Sequence, residues 1–291
     1  MQTADQPITS RHNELVKHAR SVRDGRNRNS IFIEGIRLCE EALRSPLEIE
    51  TVIAAEDLRR HERGSAALQR LAERATRAVF VTTEVFHSLA DTEAHQGLIV
   101  LARVPEHGPH TFLPTAGETP LLLILHGINN PANAGALLRT AEAAGANGVI
   151  ATAGTTYLFS PKALRGAMGA AFRLPVWLGA TLPEVTSWCR ANGIRTVCAD
   201  IRATQSHAKI DWRQPTALML GAEAHGLTDT ERALADELFR IPMQPPVESL
   251  NVAVAAGIAL YEAAGQRCSV EERRVGERES NAQRSQGTRR A

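Results

Sequence analysis

Asn129, Asn130, Asn133 and Arg139 stand within one short stretch, LHGINNPANAGALLRTAEAAG over 125–145, directly after an apolar run from Leu121 to Leu125. Amides and a guanidinium are orienting groups that recognise hydroxyls, carboxylates or phosphates. A dinucleotide site would instead need glycines spaced to admit a pyrophosphate, and that pattern is absent. The same residues would also suit a plain turn, with Asn133 leading into a helix and Arg139 solvated. Two further polar stretches follow apolar strands. LMLGAEAHGL over 218–227 places Gly221 and Gly226 around Glu223, a composition that suits either close backbone approach to a ligand or an ordinary turn. IPMQPPVESLNVAVAAGIA over 241–259 offers Ser249 as a helix N-cap, with Leu250, Val254 and Ile258 on one face of the helix that follows.

The elements that must position these groups alternate in type. Strands are predicted over Ser30–Ile33, Ile49–Ala54, Ala78–Val81 and Gly97–Val104, with helices over Ile36–Leu43, Asp57–Arg74 and Glu84–Leu89. This makes a small α/β domain over 1–104. Pro105–Pro120 carries four prolines and no apolar periodicity, and reads as a linker. A second domain over 121–267 has predicted strands at Leu121–Leu125, Gly148–Ala151, Val176–Leu178, Arg195–Ala199, Ala217–Leu220 and Phe239–Ile241. Its helices are expected over Ala136–Ala144, Pro161–Ala171, Leu182–Ala191, Thr230–Glu237 and Leu250–Gln266. That alternation calls for a mostly parallel, doubly wound sheet, with ligand sites at the carboxyl ends of its strands. Residues 268–291 are charged and poor in apolar side chains, and are expected to be disordered.

The chain has 291 residues, 43% hydrophobic and 22% charged, the composition of a soluble globular protein. It shows neither a membrane-length apolar run nor a leader, so a cytoplasmic location is expected. Cysteines 39, 189, 198 and 268 have no metal-ligand spacing and should be reduced, mostly structural thiols, and the ten histidines form no ligand pair, so no metal is expected. Lysine occurs only at 17, 162 and 209, so 30 of the 33 basic residues are arginine. Between Arg11 and Arg37 seven basic residues face three acidic ones. Arg11, Lys17 and Arg23 in this stretch would suit an RNA-binding surface or simply a solvated helix and loop.

Taken together, N-P-x-N-x-G-x-x-x-R-T-A, then G-x-E-x-x-G-L, then I-P-M followed by E-S-L-N-V-x-V-A resembles the SpoU/TrmH family of RNA ribose 2′-O-methyltransferases, of the knotted SPOUT class. Ser160–Val176 is similar to the family's connecting stretch, departing from it at Ala167, where serine is frequent. ITSRHNELVKHAR, FIEGIRLCEEAL and HQGLIVLAR resemble the ribosomal-protein-like substrate-binding domain that precedes many members. The resemblance implies a C-terminal sheet with a deep trefoil knot, S-adenosylmethionine as cofactor, a homodimer, and structured RNA, most readily 23S ribosomal RNA, as substrate. It implies catalytic roles for Asn133, Arg139, Glu223, Ser249 and Asn251, and cofactor contacts at Gly221, Gly226, Ile241, Met243 and Leu250. Arg139 would bind the phosphate beside the target ribose, since a guanidinium is a poor proton acceptor. Asn133 and Asn251 would orient Arg139 and the ribose, Ser249 would hold its loop, and Glu223 would fix Arg139 or the cofactor. A transfer RNA substrate, a non-catalytic RNA-binding protein of the same fold, and an unrelated small-molecule α/β enzyme are the alternatives.

Overall fold

The computed structural model describes residues 6–112, 119–222 and 226–268. The N-terminal sheet is mixed, in the order β1 (Ser30–Glu34), β4 (Leu98–Arg103), β2 (Ile49–Ala55), β3 (Arg77–Val81). β4 runs antiparallel to both β1 and β2, and β2 parallel to β3. The apolar runs of β1 and β4 are read correctly as strands because both of their faces are covered. α1 (Glu14–Arg23) is a helix but not a fully solvated one, its charged sequence hiding a buried stripe of Val16, Ala19 and Val22. These pack with Phe32, Ile53, Phe86 and Leu101 in one apolar cluster. The expected helix over Asp57–Arg74 is interrupted. A 3-10 turn over Glu56–Arg60 turns Leu58 fully inward, and α3 (Glu62–Arg74) restarts after His61.

The second sheet has the order β10 (Glu237–Phe239), β8 (Arg195–Ala199), β9 (Thr216–Leu220), β5 (Leu121–Leu125), β6 (Gly148–Ala151), β7 (Val176–Leu178). β10 with β8, β8 with β9, β9 with β5 and β5 with β6 are all parallel. β5 lies between β9 and β6 with all five residues buried, as its unbroken apolar run requires. α6 (Pro161–Ala167) stops short of the expected Ala171 because Met168 adopts the left-handed conformation and Gly169 follows at φ 92°. The helix expected over Thr230–Glu237 shrinks to α8 (Asp229–Arg232). Asp236 instead accepts hydrogen bonds from the backbone N–H of Thr196 at 2.8 Å and from its hydroxyl at 2.7 Å, drawing the chain into β10. The last helix, α9, covers 252–268 and buries Ala256, Ala259, Leu260 and Ala263 along one stripe.

The expected linker is partly built. Gly108 N–H bonds the carbonyl of Val176 at 3.1 Å, a 3-10 turn covers Pro109–Phe112, and the buried Phe112 meets Trp188 edge-on at 6.0 Å. Residues 113–118 and 269–291, including nearly all of the expected tail, lie outside the described residues. Contacts divide the chain into two compact units that do not follow the sequence boundaries. The first joins Ile128–Arg139 and Thr155–Trp177 to the N-terminal residues, and the second holds the rest. Within the first unit Arg165 pairs with Asp91 at 2.7 Å, Arg173 with Glu41 at 2.7 Å, and the Arg28 guanidinium lies 4.9 Å from the centre of the Tyr157 ring.

Within the second unit Arg267 ends α9 as a clamp. It donates to the carbonyls of Trp212 (2.8 Å), Thr119 (2.6 Å), Pro120 (3.1 Å) and Gln214 (3.0 Å), tying the last helix to the residues that enter β5. Burial pushes its pKa down to about 10, which still leaves it charged at neutral pH. Arg267→Ala is expected to destabilise the protein by about 2 kcal/mol, because hydrogen bonds from a charged donor are lost and carbonyls are stranded. Urea unfolding followed by circular dichroism checks this, and a midpoint equal to the wild type's would dismiss the clamp. Cys39, Cys189 and Cys198 are buried, and burial raises all three thiols, the latter two to about 12. They are inert packing groups, and Cys268 alone is exposed.

Candidate active site

The first polar stretch forms the start of α5 (Pro131–Ala143), which begins five residues earlier than its helix formers suggest. Asn130 is the cap: its side chain accepts from Ala132 N–H at 2.9 Å and its carbonyl from Ala134 N–H at 3.0 Å. Pro131 at the first helical position needs no such partner. Asn133 therefore sits in the first turn, half-buried, rather than in the preceding loop, and Arg139 lies exposed. Six positions separate them, about 9 Å of rise. Ala134, Leu137, Leu138 and Ala141 face inward. The N-terminal part of α5 is located by an unusually close crossing with α6. A Cβ built on Gly135 would stand 2.3 Å from the Ala163 carbonyl oxygen and 2.8 Å from Gly166 Cα, so backbone rests directly on backbone.

In the second unit the ends of β5 and β9 are joined, His126 N–H bonding the Leu220 carbonyl at 2.9 Å. Beyond β9, Gly226 N–H bonds the Ala222 carbonyl at 2.8 Å. Gly221 is required by this fold, because a Cβ there would lie 2.6 Å from the Gly226 carbonyl carbon and 2.8 Å from Leu227 N. Gly226 holds φ 61°, a left-handed turn position that favours glycine. Glu223 lies outside the described residues. His126 is not among the residues that the sequence motifs single out. Its Nδ1 stands 2.8 Å from Thr152 Oγ1 at the end of β6, and its Nε2 2.9 Å from Glu231 Oε1. Glu231 forms a capping box with Thr228, whose N–H it accepts. That bond first, and His126 second, holds the Glu231 carboxyl below the ordinary range. His126 thus ties the ends of β5 and β6 to the segment following the Gly221–Gly226 turn. The T-x-x-E pattern at 228–231 was the signal available for half of this network.

The third stretch, 241–251, has no helix or ladder. Ile241, Met243 and Leu250 are half-buried while the residues between them are mostly exposed, so apolar side chains and backbone groups outside regular structure occur side by side. That chemistry fits a flat adenine, which wants apolar faces and backbone donors at its edge. The N-cap of α9 is Asn251, not Ser249. Its side chain accepts from Ala253 N–H at 2.9 Å and its carbonyl from Ala255 N–H at 3.0 Å, while Ser249 is exposed two residues ahead.

The three basic candidates differ. Arg11 and Lys17 are exposed, Lys17 with Glu14 at 2.8 Å. Arg23 is engaged internally: it donates to the carbonyls of Ser88 (3.1 Å), Leu89 (3.0 Å) and Ala90 (3.3 Å) and pairs with Asp24, so it caps the C-terminus of α4 (Thr83–Leu89). A cation is favourable at that end of a helix.

The α/β fold with this parallel sheet is that of a SPOUT-class methyltransferase. A crystal structure of the SpoU methyltransferase AviRb from Streptomyces viridochromogenes with AdoMet superposes with TM-score 0.80 at 26% identity, covering 89% of this chain and 99% of that one. The RlmB of Bordetella pertussis, a 23S rRNA (guanosine-2′-O-)-methyltransferase, is 36% identical over 238 residues, 81% of this chain and 97% of that protein. The RlmP of Bacillus subtilis, named for 2′-O-methylation of a 23S rRNA guanosine, is 28% identical over 89% of this chain and 99% of its own length. Residues 120–261 match the SpoU rRNA methylase profile, and 32–107 match that for RNA 2′-O ribose methyltransferase substrate binding. The chain belongs to the SpoU rRNA methylase family.

Proposed function

We propose that this protein transfers a methyl group from S-adenosylmethionine to a ribose 2′-hydroxyl of 23S ribosomal RNA. What carries the reading is the presence of all three polar stretches after apolar segments of one chain that also matches the substrate-binding profile. Gly221, Gly226, Ile241, Met243 and Leu250 would hold the cofactor, which supplies a methyl group on a sulfonium leaving group. Bringing the 2′-oxygen to about 3–3.5 Å from the methyl carbon supplies most of the catalysis. Arg139 would grip the phosphate beside the target ribose, favouring loss of the hydroxyl proton. Asn133 and Asn251 would orient Arg139 and the ribose, the side-chain oxygen of Asn251 also capping α9. Ser249 and Glu223 complete the proposed set, Glu223 as partner of Arg139 or of the cofactor. Arg11 and Lys17 would meet RNA phosphates, whereas the internal bonds of Arg23 give it a structural task.

The trefoil knot, formed by the segment around 221–264, belongs to the same reading and is supported by the likeness to SPOUT structures. So does a homodimer. Val254 and Tyr261, seven residues apart on α9, expose 52% and 58% of their surface as an apolar stripe suited to a second copy. Among the described residues no helix is long and apolar enough to cross a membrane. Incubating the purified protein with labelled S-adenosylmethionine and total RNA from a strain lacking the gene, then mapping the label, tests the function. A single 2′-O-methylated nucleotide in 23S RNA is expected. Label in transfer RNA would move the substrate, and failure to bind the cofactor would return the protein to the RNA-binding class without catalysis.

A further inference from the structure

The first unit carries an open cleft of about 530 Å³ built from residues that belong to none of the three methylase stretches: Arg28 and Asn29 before β1, Glu50 on β2, and 103–107 at the end of β4. Its size is that of a small-molecule pocket. Both signs of charge line it. Arg103 stands 3.1 Å from Glu48 and 3.9 Å from Glu50, and Glu50 also accepts from the Ser30 hydroxyl at 2.8 Å. Glu106 and His107 complete the rim. An isolated phosphate would meet repulsion from two carboxylates here. A nucleotide would not, because its phosphate and the N–H groups on its base edge ask for opposite partners a few ångströms apart. Arg28 adds the third requirement. Its guanidinium is backed by the Tyr157 ring at 4.9 Å, which fixes a planar, cationic surface of the kind on which unpaired bases stack.

We propose that this pocket takes one unpaired nucleotide of the substrate RNA, apart from the ribose that is methylated. The base lies against Arg28, its amino edge donates to Glu50 or Glu106, and its phosphate meets Arg103 and His107. Nothing in this requires the pocket to touch the cofactor. The proposal rests on the reading of the protein as an RNA enzyme and assigns the substrate-binding domain a specific contact.

The test uses the full-length protein with Arg28→Ala, Arg103→Ala, the double variant and Arg28→Lys, reading RNA affinity by filter retention separately from methyl transfer. Each alanine should weaken binding about tenfold. The maximal rate at saturating RNA and the affinity for S-adenosylmethionine should stay unchanged. Arg28→Lys keeps the charge and loses the plane, so it should weaken binding while preserving the salt dependence. Wild-type RNA affinity in the double variant overturns the pocket, and wild-type affinity in Arg28→Lys overturns the stacked base. A wild-type protein that shows Arg28-dependent RNA binding but transfers no methyl would overturn the function and leave the pocket supported.

Discussion

Replacing Arg139 by alanine is expected to lower methyl transfer by about 10²-fold or more while the protein melts as the wild type does. The fold side of this follows from placement. Arg139 is exposed on α5, the inward stripe is made by Ala134, Leu137, Leu138 and Ala141, and alanine is at least as good a helix former as arginine. The chemical side rests on the role proposed for Arg139: a guanidinium offers two parallel donors matched to a phosphate, which would hold the neighbouring ribose in place for transfer. Lysine at 139 keeps a point charge without the fork and should recover only part of the loss. Asn133→Ala should behave similarly in single-turnover transfer, with a larger effect on stability because Asn133 is half-buried in the first turn. Cofactor affinity measured alongside separates a lost contact to RNA from a collapsed pocket. Full activity in both Arg139→Ala and Asn133→Ala would remove these residues from the mechanism.

The elements around this site were legible wherever burial alone decides them. Leu121–Leu125 must be covered on both faces, and it is. Gly145 must stop α5, and it does at φ 77°, with Ala146 N–H reaching back to the Ala141 carbonyl at 2.9 Å. Two kinds of error have physical causes. Where the chain is locally willing to be helical, a distant partner can still stop it, as Thr196 does by engaging Asp236. Where two neighbouring residues have the same chemistry, only geometry chooses between them. Asn130 rather than Asn133 caps α5, and Asn251 rather than Ser249 caps α9, although each pair is equally suited by residue type. Arg23 illustrates the same limit for charge. Its sequence context places it in a basic surface, yet its donors close the end of α4, 65 to 67 residues away.

The motif glycine Gly135 shows how a residue can belong to a functional signature for a packing reason, and it carries the second large effect. Gly135→Ala is expected to destabilise the protein by several kcal/mol, at the upper end of the overpacking range of about 1–3 kcal/mol or beyond it. The atoms its Cβ would meet are the Ala163 carbonyl oxygen at 2.3 Å, Gly166 Cα at 2.8 Å and Ala167 N at 2.9 Å. All are backbone, so no side chain can swing aside and α5 must lift from α6. Because that crossing positions the first turns of α5, methyl transfer should fall with stability even though alanine itself touches no substrate. Gly265→Ala gives the opposite sign. It lies within α9, nothing stands within 4 Å of a Cβ built there, and exchanging glycine for alanine in an open helical position should stabilise by about 0.5–1 kcal/mol. Urea unfolding of the two variants side by side separates the explanations. If both glycines obeyed helix propensity alone, both substitutions would stabilise, and a stabilised Gly135→Ala would show that the α5–α6 crossing is not the constraint this packing describes.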